Sequence, residues 1–282
     1  MKIFASAEEM QVWSLAQKSM GYLVGFVPTM GYLHEGHLSL IDVAKRETDK
    51  VVVSIFVNPT QFGPGEDYES YPRNMERDLQ FCEERGVDGV YLPEVKKMYG
   101  HGYQTFVEVG KLSENLCGGG RPGHFKGVTT VVTKLFNAVR PNVAVFGQKD
   151  AQQARIIERL TEDLQFGIKI VIAPIVREDD GLAMSSRNVR LLPEHRKQAI
   201  ALNAALKEAS NAFEAGDRKS KVLTGIVRDK INSDAPDGEV EYIEMVDWIN
   251  LKPIDNPRRT ALLAVAVKFG DVRLIDNTLL EL

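Results

Sequence analysis

Two cysteines in 282 residues, Cys82 and Cys117, leave this chain without a disulfide framework or a cysteine metal set. A reduced, cytoplasmic compartment is the expectation. Basic charge is also in short supply. Lys and Arg number 35 against 39 Asp and Glu, a formal net charge of −4, which argues against a nucleic-acid partner. No apolar run approaches the roughly 18 residues needed to span a bilayer, so no membrane partner is expected. Residues 1–9 read Met-Lys-Ile-Phe-Ala-Ser-Ala-Glu-Glu, with acids where a signal peptide needs an apolar stretch. Internal repeats and low-complexity tracts are lacking. Histidine is scarce as well, yet two of the five fall in one short segment, His34 and His37.

What the chain does have is a set of short Val/Ile-rich runs: Tyr22–Val27, Val51–Val57, Val87–Leu92, Val143–Phe146 and Ile168–Val176. Near-continuous apolar runs of this length suit strands of a parallel sheet covered on both faces. Helical patterns lie between them, at Leu38–Thr48, Asn74–Arg85 and Thr129–Val139. The alternation predicts an α/β, doubly wound parallel sheet. The pattern changes after about Val176. Pro193 to Ala215 reads as one long helix with Pro193 at its start and Gly216 at its end. Val240–Trp248, Thr260–Lys268 and Asp271–Asp276 read as strands. Two domains are therefore expected: residues 1–176, the doubly wound sheet, and residues 177–282, a second, smaller α+β domain that caps the site.

Polar residues cluster where the expected strands end, which is the edge where open α/β sheets bind ligands. The run Met30-Gly-Tyr-Leu-His-Glu-Gly-His37 joins the first strand to a helix beginning near Gly36. Unpaired N–H groups and the helix dipole favour an anion there, and two imidazoles add donors. The three-residue spacing fails the His-Glu-x-x-His zinc pattern. Gly147-Gln148-Lys149-Asp150 follows another strand, with a glycine for close backbone approach and a lysine for phosphate oxygens. Asp150 suits helix capping as well as it suits catalysis. Met184-Ser185-Ser186-Arg187 offers two hydroxyls and a guanidinium as an anion clamp; a polar linker is the competing reading. Asn58-Pro59 marks a turn, and Gln61 and Gln153 supply amides to a small polar substrate. Gly118-Gly119-Gly120-Arg121-Pro122-Gly123 satisfies G-x-G-x-x-G, but Lys111–Cys117 before it looks helical and no acid lies between Ala138 and Phe146. It reads as a flexible loop, not a dinucleotide fingerprint.

A histidine turn after the first strand and a Met-Ser-Ser-Arg segment after the last resemble the nucleotidylyltransferase superfamily, whose fold is Rossmann-like. The ordered set Pro28–His37, Phe56-Val-Asn-Pro-Thr-Gln-Phe62, Arg121-Pro-Gly-His-Phe125, Phe146–Asp150 and Met184–Asn188 resembles, more narrowly, the pantothenate synthetase family, ligases that join pantoate to β-alanine. The resemblance implies ATP contacts at Met30, Gly31, Tyr32, Leu33, His34, Glu35, Gly36, His37, Gly147, Gln148, Lys149, Asp150, Val176, Met184, Ser185, Ser186 and Arg187. It implies that His34, His37 and Lys149 are catalytic, with His37 as proton donor. Gln61 would contact pantoate and β-alanine, and Gln153 pantoate. It further implies a pantoyl-adenylate intermediate, magnesium with ATP, and a homodimer.

Some points stay open in the sequence. The magnesium ligands are unknown, with Asp78 and Asp150 as candidates. Ala183 and Ser186 stand where synthetase-type Lys-Met-Ser-Lys-Ser signatures carry lysines, and Ala151 stands where an aromatic residue is expected. Residues 63–71 and the loop near Gly118 are candidate covers for the adenylate. An adenylyltransferase acting on a phosphorylated acceptor is the first alternative, an RNA-binding synthetase relative the second, and an inactive interaction protein the third.

Overall fold

The computed structural model describes residues 1–282. Its elements in chain order are β1 (Lys2–Phe4), α1 (Ala7–Ser19), β2 (Val24–Thr29), α2 (Glu35–Glu47), β3 (Lys50–Ile55), α3 (Met75–Glu84), β4 (Gly89–Tyr91), α4 (Val95–Met98), α5 (Cys117–Gly120), α6 (His124–Val139), β5 (Val143–Gly147), α7 (Ala151–Asp163), β6 (Lys169–Ala173), α8 (Pro193–Ala199), α9 (Ala201–Glu214), α10 (Ser220–Asp234), β7 (Gly238–Asp247), β8 (Ala261–Phe269) and β9 (Val272–Leu280). Six strands form a parallel sheet in the order β1-β4-β3-β2-β5-β6. The doubly wound sheet expected from the Val/Ile runs is present. The second sheet, β7-β8-β9, is antiparallel. No helix is long and apolar enough to cross a membrane.

The strand order reverses at β2, which has β3 on one side and β5 on the other. Such a switch point opens a crevice at the carboxyl ends of the strands. Here the parting of β2 from β5 has a local cause. Pairing of β2 with β5 is confined to Gly25 and Phe26, two residues short of Pro28, which has no N–H for a ladder. The core under this edge is built from Val27, Leu33, Leu38, Ile41, Val53 and Val145.

Several boundaries differ from the sequence reading for physical reasons. Tyr22 and Leu23 are exposed and precede β2, which runs on through Pro28 to Thr29. The three-residue β1 is not among the expected strands, being too short to show a pattern. The helix expected over Pro193–Ala215 is two, α8 and α9. Ile200 between them keeps helical φ and ψ of −62° and −22°, but its N–H turns to the Gln198 carbonyl and interrupts the ladder. Lys111–Cys117 carries only a 3-10 turn at Lys111–Ser113 before the short α5.

The chain forms two compact units. The first comprises residues 1–110, 121–148 and 156–174; the second comprises 111–120, 149–155 and 175–282. Beside the division expected at residues 176 and 177, the continuous part of the second unit begins at Ile175, and the unit also takes in two short segments from within the expected first domain. Its own core joins Leu202, Leu206, Leu223, Val227, Leu263, Val265, Leu274 and Leu280.

Candidate active site

In the first unit the β2–α2 turn is held from below. Gly31 and Tyr32 adopt left-handed φ of +83° and +52°, a conformation costly for tyrosine unless its surroundings enforce it. The enforcing group is Asp78 on α3. It is 1% exposed, and its two carboxylate oxygens accept the N–H groups of Tyr32 and Leu33, each at 2.7 Å. Arg77 adds a hydrogen bond to the Leu33 carbonyl at 2.6 Å and stacks over the Tyr32 ring. This corrects the reading of Asp78 as a magnesium candidate, since its carboxylate is buried and spent on the backbone.

The turn delivers His34 as the N-cap residue of α2, which therefore begins at Glu35 and not at Gly36. The His34 side chain makes no capping hydrogen bond, so it does not occupy the first-turn N–H groups. The His34 and His37 rings lie 4.1 Å apart and are half-buried. Glu35, read as an ATP contact, turns its carboxylate to Arg85 at 2.9 Å. That leaves its backbone as the part suited to an anion. Leu33 is fully buried, and its N–H and carbonyl are taken by Asp78 and Arg77, so neither its side chain nor its N–H is open to an anion.

Gln61 sits on the 3-10 turn Pro59–Gln61 after β3. Its amide nitrogen approaches the Met30 sulfur at 3.2 Å, and its amide oxygen accepts from Asn58 at 3.0 Å. Met30 and Gln61, from separate motifs, are thereby brought together. In the sequence Asn58 reads only as a turn marker. The structure shows it 1% exposed, with its Nδ2 also donating to the Gly127 carbonyl and its Oδ1 accepting from the Tyr99 hydroxyl at 2.7 Å. Burial pushes the Tyr99 hydroxyl up to about 12, so it remains a donor. The proline that follows Asn58 hides this role, because the turn signal already accounts for the residue.

The Arg-Pro-Gly-His motif meets the same turn. Arg121 grips Glu66 with Nε at 2.7 Å and Nη2 at 2.5 Å. The Gln61 carbonyl can only accept, so His124 Nδ1 carries the proton in that 2.8 Å contact. Arg121 can only donate, so His124 Nε2 is the acceptor at 3.0 Å. Burial raises the Glu66 carboxyl, but the hydrogen bond and charge of Arg121, a backbone hydrogen bond and His124 outweigh it, and the net shift is downward. A depressed folded value means stabilisation present above the unfolded value and lost as pH falls through the folded one. Acidification from neutral to about pH 3, below the ordinary glutamate value of about 4.3, should therefore speed proteolytic cleavage within residues 63–71. In Arg121→Ala, cleavage should be fast already at neutral pH; a loop equally resistant in both proteins would refute this role of the Arg121–Glu66 pair.

In the second unit Lys149 pairs loosely with Asp150 at 3.8 Å, and the lysine side chain is the more buried of the two. Gln153 lies half-buried in the first turn of α7, and Ala151, two residues before it, is 4% exposed. Val176 and Met184 face each other in a short hairpin, with Met184 N–H donating to the Val176 carbonyl at 3.0 Å and Arg177 bridging to Ala183. Ser185 Oγ accepts the Arg187 N–H at 3.2 Å, and Ser186 is 6% exposed. Thus Met30–His37, Gln61, Gly147 and Gln148 belong to the first unit, and Lys149, Asp150, Gln153, Val176 and Met184–Arg187 to the second. No group of three or more His, Cys, Asp or Glu side chains is arranged to hold a metal ion.

A parallel sheet that switches at β2, with a helix N-terminus and a histidine pair at the switch, defines a nucleotide-handling α/β enzyme. Comparison with known proteins narrows the class. A family model described as pantoate–β-alanine ligase matches residues 2–279. A pantothenate synthetase of Thermotoga neapolitana is 53% identical over 281 residues, covering 99% of this chain and 100% of its own. The crystal structure of pantothenate synthetase from Thermus thermophilus superposes with a TM-score of 0.92 at 42% identity, covering 99% of both chains. A pantoate–β-alanine ligase from Francisella tularensis, crystallised with β-γ ATP and β-alanine, has a TM-score of 0.80 at 35% identity, covering 99% of this chain and 97% of its own. The chain belongs to the pantoate–β-alanine ligase family.

Proposed function

We propose that this chain condenses pantoate with β-alanine at the expense of ATP, through a pantoyl-adenylate. The observation that carries the reading is the joining of two motifs in one place: Gln61, locked by Asn58, sits against Met30 of the histidine turn. An amide that orients a carboxylate without neutralising it leaves that carboxylate nucleophilic. A pantoate carboxylate oxygen attacks the α-phosphorus of ATP, the bond to the bridging oxygen breaks, and pyrophosphate leaves. The neutral amine of β-alanine then attacks the activated carbonyl, loses a proton, and AMP departs. The first step calls for positioning and for neutralising charge on the leaving pyrophosphate. His34, His37, Lys149, Ser185, Ser186 and Arg187 are assigned that task, with His37 as proton donor.

Magnesium fits this scheme as an ion carried on ATP oxygens, where it would supply further charge neutralisation. Asp150 is the exposed carboxylate of the Gly147–Asp150 segment and is the side chain suited to approach such an ion. We read the chain as a cytoplasmic homodimer acting on small molecules, as its resemblance to the family implies, and no helix is long and apolar enough to cross a membrane.

The test is a coupled assay with each substrate omitted in turn. Pyrophosphate release should require pantoate alone, and AMP release should require β-alanine in addition. Lys149→Ala should lower pantoate-dependent pyrophosphate release on the order of 10²-fold or more. Gln153→Ala should act mainly by raising the pantoate KM. AMP transfer to a phosphorylated acceptor, without a pantoate requirement, would overturn the proposal.

A further inference from the structure

We propose that Asp276 and Asn277, consecutive residues of β9, form a positioning ledge that fixes the Lys149 segment relative to the Met184–Arg187 segment for adenylate formation. The inference rests on the reading of those two segments as ATP-handling groups.

Asn277 is 4% exposed, and its Nδ2 donates to the Lys149 carbonyl at 3.0 Å. Asp276 is 2% exposed and is held by Arg177 through both carboxylate oxygens, at 2.6 and 3.0 Å. The same Arg177 donates to the Gly181 carbonyl at 3.1 Å and bridges to Ala183. Arg177 thus clamps the hairpin that brings Met184 back to Val176. The Asn277 N–H donates to Asp276 Oδ1 at 2.8 Å, which ties the two anchors together.

Strand geometry explains how one dipeptide serves two segments. Consecutive strand residues point to opposite faces. Asp276 shares its face with Leu274 and Leu280 of the unit's core, where Arg177 meets it. Asn277 shares the other face with Arg273, which reaches Cys117. That face meets Cys117 of the 111–120 segment and, through Asn277, the Lys149 carbonyl of the 149–155 segment.

Buried polar residues are costly unless fully paired, and folding alone would be served by apolar residues at these positions. A fully paired network specifies one geometry. What this one specifies is the distance between the backbone of Lys149 and the serines that follow Met184, two sets of groups that must meet the same phosphates. These are positioning residues, and neither is assigned to touch substrate.

The test compares Asn277→Ala and the near-isosteric Asn277→Asp, which lacks the amide donor, in the full chain. Two half-reactions are measured: pantoate-dependent pyrophosphate release, and AMP release when β-alanine is added to supplied pantoyl-adenylate. Both variants should slow the first half-reaction on the order of 10-fold to 10²-fold and leave the second at the wild-type rate, with the pantoate KM unchanged. A parallel fall in both half-reactions would show general damage to the unit and overturn the proposal, as would an unchanged first half-reaction. Lys149→Ala run alongside separates the two levels. If it leaves pyrophosphate release intact, the assignment of Lys149 to ATP falls and the ledge with it. If it abolishes release while the Asn277 variants do not slow it, only the ledge is overturned.

Discussion

Asp78→Ala should lower folding stability by about 3–5 kcal/mol, because two buried N–H groups lose a charged acceptor at once. The N–H groups of Tyr32 and Leu33 each take one of its oxygens, and Tyr32 sits at a φ of +52° that the carboxylate enforces. Released, the tyrosine returns to negative φ and the His34–His37 pair moves. Pantoate-dependent pyrophosphate release should then fall on the order of 10²-fold in the fraction that remains folded. Asp78→Asn sharpens the argument. An amide has one acceptor oxygen and turns an NH2 toward the second N–H, so it should be nearly as destabilising as alanine. If Asp78 instead served a magnesium ion, Asp78→Asn would raise the magnesium requirement and leave the denaturant midpoint in place. The two measurements together decide the matter.

The parts of this molecule legible in its sequence are those fixed by local pattern. Val51–Val57 and Val143–Phe146 announce buried strands because a run of β-branched residues has few other uses. The histidine turn announces a site because two rare residues coincide at a strand end. The illegible parts are contacts between residues distant in sequence. Asp78 looks like any acid in the first turn of a helix until it is found 45 residues from the backbone it braces. Arg177 and Asp276 meet across 99 residues. Asn58 has a local explanation as a turn former, which conceals its grip on Gln61 and on α6. Pro28 argues for a strand ending at Val27, yet β2 continues beyond it, because its pairing with β3 persists while its pairing with β5 has already ended.

The pattern of these hidden contacts bears on how the site is built. In the first unit the histidine turn rests on Asp78 of α3, and Gln61 rests on Asn58, each a buried polar residue. Buried hydrogen-bonded supports fix a rotamer more narrowly than apolar packing does. Adenylation gains from such rigidity, since its catalysis is chiefly positional.

Gly127→Ala is the second substitution with a large expected effect, and its sign runs against helix propensity. Gly127 lies inside α6, where alanine would ordinarily add about 1 kcal/mol of stability. A β-carbon there would overlap the Thr60 carbonyl oxygen and stand 2.5 Å from the Thr60 carbonyl carbon and 2.6 Å from the Gln61 nitrogen. These are backbone atoms and cannot swing aside as a flexible side chain would. The 3-10 turn must therefore back away from α6, stretching the Asn58 bond to the Gly127 carbonyl and drawing Gln61 off Met30. Overpacking of this kind costs about 1–3 kcal/mol. Displacing the turn by roughly 1 Å should cut kcat/KM for pantoate and β-alanine on the order of 10²-fold, while the ATP KM changes little. Gly225 in α10 is the control, because a β-carbon there meets nothing within 4 Å. Gly225→Ala should gain about 0.5–1 kcal/mol and keep full activity. If Gly127→Ala were to gain stability in the same way with unchanged kinetics, the close approach of α6 to the Gln61 turn would not be what holds that side chain in place.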